Sequence, residues 1–124
     1  MYSGSISLYG HMDLHGNPIS DFEIYMQDGA TFADGSDYGK VVIGTEVTLH
    51  SNIPSDVYIM SNGIMKVASG DSYVIFGNVE YWNAWSGGII EIAENAVLTI
   101  SENLIFSSGE VVNNGTLICN GEIY

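Results

Sequence analysis

Three stretches of the chain carry side chains whose types and spacing could do chemistry. His11, Asp13 and His15 occupy alternate positions, so a strand would project all three from one face, and two imidazoles with a carboxylate can ligate a transition metal. A solvated polar face uses the same residues, and Gly10 and Gly16 shorten the strand that would present them. Glu23, Asp28, Asp34 and Asp37 place carboxylates around turns, the oxygen-rich setting that calcium takes, yet their spacing matches neither an EF-hand loop nor a nonapeptide calcium repeat. The cofactor expectation is therefore limited to a divalent cation, calcium or a transition metal, against the reading of a plain acidic loop. Lastly, Tyr81-Trp82-Asn83-Ala84-Trp85-Ser86-Gly87-Gly88 contains both tryptophans. The rings of Tyr81, Trp82 and Trp85 can cover a core, anchor a subunit interface or stack on a sugar.

No reaction is named by these residues. Serine, histidine and aspartate all occur, but no nucleophile-elbow sequence does, and His50 sits in an ordinary strand–turn context. No catalytic residue is assigned, and no enzymatic activity is expected. Charge narrows the field further. Fifteen carboxylates face only Lys40 and Lys66, there is no arginine, and the formal net charge is −13. Nucleic acid is excluded as a partner, because phosphate recognition needs clustered guanidinium and ammonium donors. Catalysis of the pectate-lyase kind is disfavoured for lack of a basic residue at the reacting carbon. Such a surface favours solubility and an association that depends on ionic strength or divalent cations.

Cys119 stands alone, so no disulfide can form within the chain, and its register makes it a core residue. No stretch approaches the roughly 18 uninterrupted apolar residues of a membrane span, so membrane insertion is not expected. Residues 1–20 lack the basic start and apolar middle of a secretory signal.

The elements that must position these groups are short strands. At 124 residues, with 46% hydrophobic content, the chain has enough apolar mass for one core, while 15 glycines and two prolines suit many tight turns. Ile6 and Leu8, then Phe22, Ile24 and Met26, alternate with polar neighbours as half-buried strands do. Residues 91–102 are the best candidate for a helix, but β-branched residues dominate them and caps are missing. They read as two strands joined at Glu94-Asn95.

A tile, glycine followed by a strand, recurs as Gly63-Ile64-Met65-Lys66-Val67, Gly88-Ile89-Ile90-Glu91-Ile92 and Gly115-Thr116-Leu117-Ile118-Cys119, spaced by 25 and then 27 residues. That length suits a rung of about three strands. With each glycine at a corner, the residues two and four places on point inward. The expected columns are Met65–Ile90–Leu117 and Val67–Ile92–Cys119, with Lys66 stacked outside beside Glu91. The fold expected is all-β, a β-solenoid resembling a parallel β-helix, in a single domain over residues 1–124. Clearer rungs occupy residues 44–124, and residues 1–43 form irregular or capping strands.

Gly10-His11-Met12-Asp13-Leu14-His15-Gly16-Asn17-Pro18-Ile19 resembles a motif of phage tail-fibre proteins, approximately Gly-Asp-Leu-Asp-Leu-Asn-Gly-Asn-x-Ile; His11, His15 and Pro18 depart from it. The resemblance covers ten residues and implies a structural virion component without catalytic residues. A solenoid also has two open ends, which expose core and unpaired backbone. The sequence remains strand-like through Ile123 and Tyr124, which become interface candidates. The function expected is a structural subunit that self-associates through ends or flanks into a fibre, placed on a virion or extracellular fibre. Two alternatives stand beside it. One is a carbohydrate-binding adhesin module that meets a surface glycan through Trp82 and Trp85. The other is a cytoplasmic polymer resembling bactofilins, which are β-helices that polymerise end to end.

Overall fold

The computed structural model describes residues 4–15, 22–34, 39–82, 87–105 and 109–124. Every strand pair in it is parallel. The first sheet stacks β1 (Gly4–Leu8), β3 (Phe22–Met26), β5 (Lys40–Ile43), β7 (Asp56–Ile59), β10 (Val79–Tyr81) and β13 (Leu104–Ile105). A second stacks β6 (Glu46–Thr48), β8 (Ile64–Val67), β11 (Ile89–Ile92) and β14 (Glu110–Asn113). The third holds β9 (Ser72–Ile75), β12 (Val97–Ile100) and β15 (Thr116–Cys119), and is extended by a bridge from Ile53 to Ile75. A small ladder joins β2 (His11–Met12) to β4 (Thr31–Phe32). The chain visits the three sheets in rotation, giving a β-solenoid of about five turns. No helix among the described residues is long and apolar enough to cross a membrane.

Side-chain alternation fills the centre. The first sheet sends in Ile24, Val41, Val57, Val79 and Leu104 in one column and Met26, Ile43, Ile59 and Tyr81 in the next, all nearly or fully buried. The second contributes Val47, Met65 and Ile90, beside Val67 and Ile92; the third contributes Ile75 and Ile100, beside Leu98. Stacking in register places apolar side chains on apolar side chains, so the core forms without a helix to cover it. The N-terminal strands belong to the same stack: Ile6 pairs with Ile24, and Ile24 with Val41. Their irregularity lies in the second strands, since β2 and β4 have two residues each. Rung length also varies, with residue 41 lying on residue 57 but residue 79 on residue 104.

Two of the expected columns begin as expected and then change course. Met65 lies on Ile90, Val67 on Ile92 and Lys66 on Glu91. The next residues in those columns are Val111 and Asn113 of β14, however, not Leu117 and Cys119. Leu117 and Cys119 stack on Leu98 and Ile100 in the third sheet. The third tile is therefore the less regular Gly109-Glu110-Val111-Val112-Asn113, and Gly115 starts a strand on another face. Asn113, in the last rung, is exposed, and its Oδ1 accepts the Gly115 N–H at 3.0 Å to turn the chain.

The tile glycine answers a demand for close approach. A β-carbon at Gly88 would collide with Ile59 and the Met60 carbonyl oxygen, and one at Gly63 with the Ile43 carbonyl. Elsewhere the corners are tight turns closed from Gln27 O to Ala30 N, Ala68 O to Asp71 N and Ala93 O to Ala96 N. In each the third residue has positive φ: Gly29 at 92°, Gly70 at 83° and Asn95 at 63°. Glu94-Asn95 is thus the joint between β11 and β12 that the sequence indicates.

Between the third and first sheets the corner is held by side chains. Asp56 Oδ1 accepts the Asn78 N–H at 2.8 Å, Asn78 Oδ1 accepts the Asn103 N–H at 2.9 Å, and Asn103 Oδ1 accepts the Glu122 N–H at 2.9 Å. Each oxygen satisfies a backbone donor one rung further on, where the sheet ladder has stopped. Asn78→Ala should cost about 1–3 kcal/mol by leaving the Asn103 N–H unpaired, while Asn78→Asp retains the acceptor and should cost less. Gly88→Ala should cost about 1–3 kcal/mol by overpacking. Urea unfolding of the purified variants measures all three.

Candidate functional site

The described residues place the sequence's candidates at three separate locations. Near the N-terminal end, His11 turns its Nδ1 to Thr31 Oγ1, 2.8 Å away on the next rung. Asp13 instead serves its own turn. Its Oδ1 accepts the His15 N–H at 2.8 Å, and His15, with φ of 52°, brings its Nδ1 to 3.6 Å from Asp13 Oδ2. Asp13 and His15 are thus together and His11 is not. Among the acidic residues, Asp28 Oδ1 accepts the Thr48 N–H at 3.0 Å, and Glu23 accepts the Tyr25 hydroxyl at 3.2 Å; Asp37 lies outside the described residues. No group of three or more His, Cys, Asp or Glu side chains among the described residues is arranged to hold a metal ion.

The aromatic stretch divides. Tyr81 points inward and is 3% exposed, and its hydroxyl donates to the Glu110 carbonyl at 2.7 Å, tying the first sheet to the second. Trp82 is 39% exposed, and its ring centroid lies 5.2 Å from that of Tyr58 at an interplanar angle of 49°. Trp85 lies outside the described residues. The tyrosine partner was not evident in the sequence, because Tyr58 precedes Trp82 by a whole rung. Its column continues downward: Tyr58 pairs with Val42 and Val42 with Tyr25. That column explains why Val42 is fully buried although alternation turns it outward, since a tyrosine stands on either side. Lys40 Nζ lies 5.9 Å over the Tyr58 ring. Burial, then the carboxylates of Asp56 and Glu80, raises the Tyr58 pKa. This flank therefore presents aromatic rings beside acidic groups.

The third location is the C-terminal end of the stack. Among the described residues, strand β14 pairs only with β11 and β15 only with β12, so each has an open edge there. Val111, Leu117 and Cys119 pack against the core but are only partly buried. Ile123 bridges to Leu104, and Tyr124 N–H donates to the Leu104 carbonyl at 3.0 Å, yet these two side chains are 62% and 63% exposed. A hydrogen bond to Glu122 and then burial raise the Tyr124 pKa. Cys119 Sγ lies 3.3 Å from the Glu102 carbonyl oxygen, as befits a packed thiol.

Outside the second sheet, Lys66 lies between Glu46 at 3.8 Å and Glu91 at 4.0 Å. This ladder is exposed enough for the pairs to contribute little each. Its value is in register, since Lys66 stacks directly on Glu91 and reaches diagonally to Glu46 on the rung before.

No protein-family model, curated protein sequence or solved structure matches this chain.

Tyr81 yields a pH prediction. Burial raises its pKa far above the ordinary value, with a hydrogen bond to the Ile90 backbone opposing and the Glu110 charge adding. The fold therefore favours the protonated phenol. That stability is fully present below the unfolded value of about 10 and is lost as pH climbs towards the folded value. Tyrosinate absorbance should show one phenol that ionises only with unfolding. Tyr81→Phe should flatten the alkaline loss of stability and cost about 1 kcal/mol near neutral pH.

Proposed function

We propose that this chain is a non-enzymatic structural subunit, a solenoid rod segment that joins further copies end to end in an extended fibre. The observation that carries the reading is the C-terminal rung, where the open edges of β14 and β15 frame partly buried Val111 and Leu117 and exposed Ile123. A further rung would bury this apolar surface and pair the edges, as each internal rung does for the one before it. Head-to-tail contact of this kind does not close on itself and so propagates a filament. The likeness of residues 10–19 to phage tail-fibre proteins favours a virion or extracellular fibre as the setting, with a cytoplasmic polymer as the alternative. With a net charge of −13, copies repel at low salt, so added salt or divalent cations should promote association. Sedimentation velocity at tens of micromolar should show oligomers that grow with ionic strength. Ile123→Lys and Leu117→Lys should each shift them to monomer, and monomers alone for the unaltered chain throughout a salt and calcium series would refute the reading.

A second reading is favoured by one observation, the exposed Trp82 ring set against Tyr58 on the flank. Rings presented beside carboxylate acceptors suit a surface glycan, which offers C–H faces to the rings and hydroxyls to the acids. Glycan-array binding that disappears in Trp82→Ala would support it, and a silent array would remove it.

A further inference from the structure

The two ends of the stack carry one and the same spacing of half-buried residues. At the first rung Ile6, Leu8, Met12 and Leu14 pack against the core without being fully covered, and at the last rung Val111, Leu117 and Cys119 do so. Asn113 continues the Val67–Ile92 column between Val111 and Leu117. The series are thus 6, 8, 12, 14 and 111, 113, 117, 119, with steps of two, four and two residues in both. Gly10 and Gly115 fall at the same point of the two series and precede β2 and β15. Those glycines differ in one respect. A β-carbon at Gly115 would meet the carbonyl oxygens of Ala93 and Ala96 on the rung before, as one at Gly63 would meet that of Ile43 and one at Gly88 that of Met60. A β-carbon at Gly10 would meet nothing within 4 Å, and its φ is not left-handed. Gly10 therefore has the place of a glycine pressed on another rung, but no such rung lies beneath it among the described residues.

We propose that the last rung seats the first rung of a second copy rotated by one face, so that the incoming β1 lies on β14 and the incoming β2 on β15; this rests on the rod-segment reading above. Charge selects the partner. Residues 4–12 contain no carboxylate in a chain of net charge −13, and β14 and β15 carry only Glu110. First rung on last rung sets no carboxylate on another, whereas two last rungs would bring together two sets of Glu110 and Glu122. The course of the spiral selects the rotation. Ile123 bridges to Leu104 and so returns the chain to the first sheet, and the next places along the spiral are on β14 and then β15. Ile6 then stands on Val111, Leu8 on Asn113, Met12 on Leu117 and Leu14 on Cys119, and Gly10 comes down on the corner at Gly115. The Asn113 side chain is already engaged there, its Oδ1 accepting the Gly115 N–H. Without rotation, the incoming β1 would meet the place taken by Ile123. Rotated by two faces, it would lie on β15 and leave β14 uncovered.

Sedimentation and cross-linking of the whole chain test this junction. Gly10→Ala should leave urea unfolding of the monomer at low salt unchanged, since the added β-carbon enters open space. It should nonetheless raise the concentration of half-association at least about tenfold, by overpacking the junction. In a Cys119→Ser background, Ser7→Cys combined with Val112→Cys should form disulfide-linked ladders on air oxidation, because the register sets these two outward positions side by side. Ser7 and Val112 belong to the first and last rungs, so such a link joins two copies and not one. Ser7→Cys combined with Ile118→Cys, the pair that rotation by two faces would bring together, should stay unlinked. Oligomers undiminished in Gly10→Ala, or links through Ile118→Cys in place of Val112→Cys, would overturn this junction and leave the rod reading standing. An unaltered chain that stays monomeric throughout the salt and calcium series would overturn the rod reading and the junction with it.

Discussion

Inside this stack each strand residue shares a column with a residue one rung below and a residue one rung above, about 4.8 Å away. That constraint is met most strictly at the corner between the third and first sheets. There the chain changes direction and sheet pairing lapses, and the oxygens of Asp56, Asn78 and Asn103 pass from rung to rung to occupy the backbone donors left over. An aspartate or asparagine suits the task because its short side chain carries an acceptor at the right reach and tolerates turn backbone. The rest of the molecule obeys the same rule in other chemistry. Apolar residues stack on apolar residues inside, glycine marks the points where one rung presses on the carbonyls of another, and Lys66 lies between Glu46 and Glu91 outside.

Much of this was legible in the sequence where the rungs are long and regular. Gly63 and Gly88, with Met65 over Ile90 and Val67 over Ile92, follow from alternation and a repeated glycine. The failure at Gly115 is equally physical. The segment Thr116–Cys119 alternates better than Glu110–Asn113, so pattern alone selects it, but the last rung is shorter and delivers that segment to the third sheet. Polar Asn113 continues the Val67–Ile92 column, where it is exposed and its Oδ1 turns back to accept the Gly115 N–H. Toward the N-terminus the stack is just as well registered, yet unequal rung lengths hide it from any search for a fixed period.

Functional groups were legible by type and not by geometry. Two histidines and an aspartate at alternate positions suggest a shared face, but the left-handed backbone at His15 directs Asp13 into a turn and leaves His11 to Thr31. Trp82 stood out by itself, whereas its partner Tyr58 lay a rung away.

A body made by laying one strand on the next has ends of the same kind as its interior, and the proposal of a rod segment rests on that likeness. Cryo-electron microscopy of the assembled protein tests it most directly. The account predicts filaments whose strands run across the long axis, with the ~4.8 Å spacing continuing through the junction between copies and Val111, Leu117 and Ile123 buried there. Filaments whose copies meet side by side, with the C-terminal rung open to solvent, would contradict it.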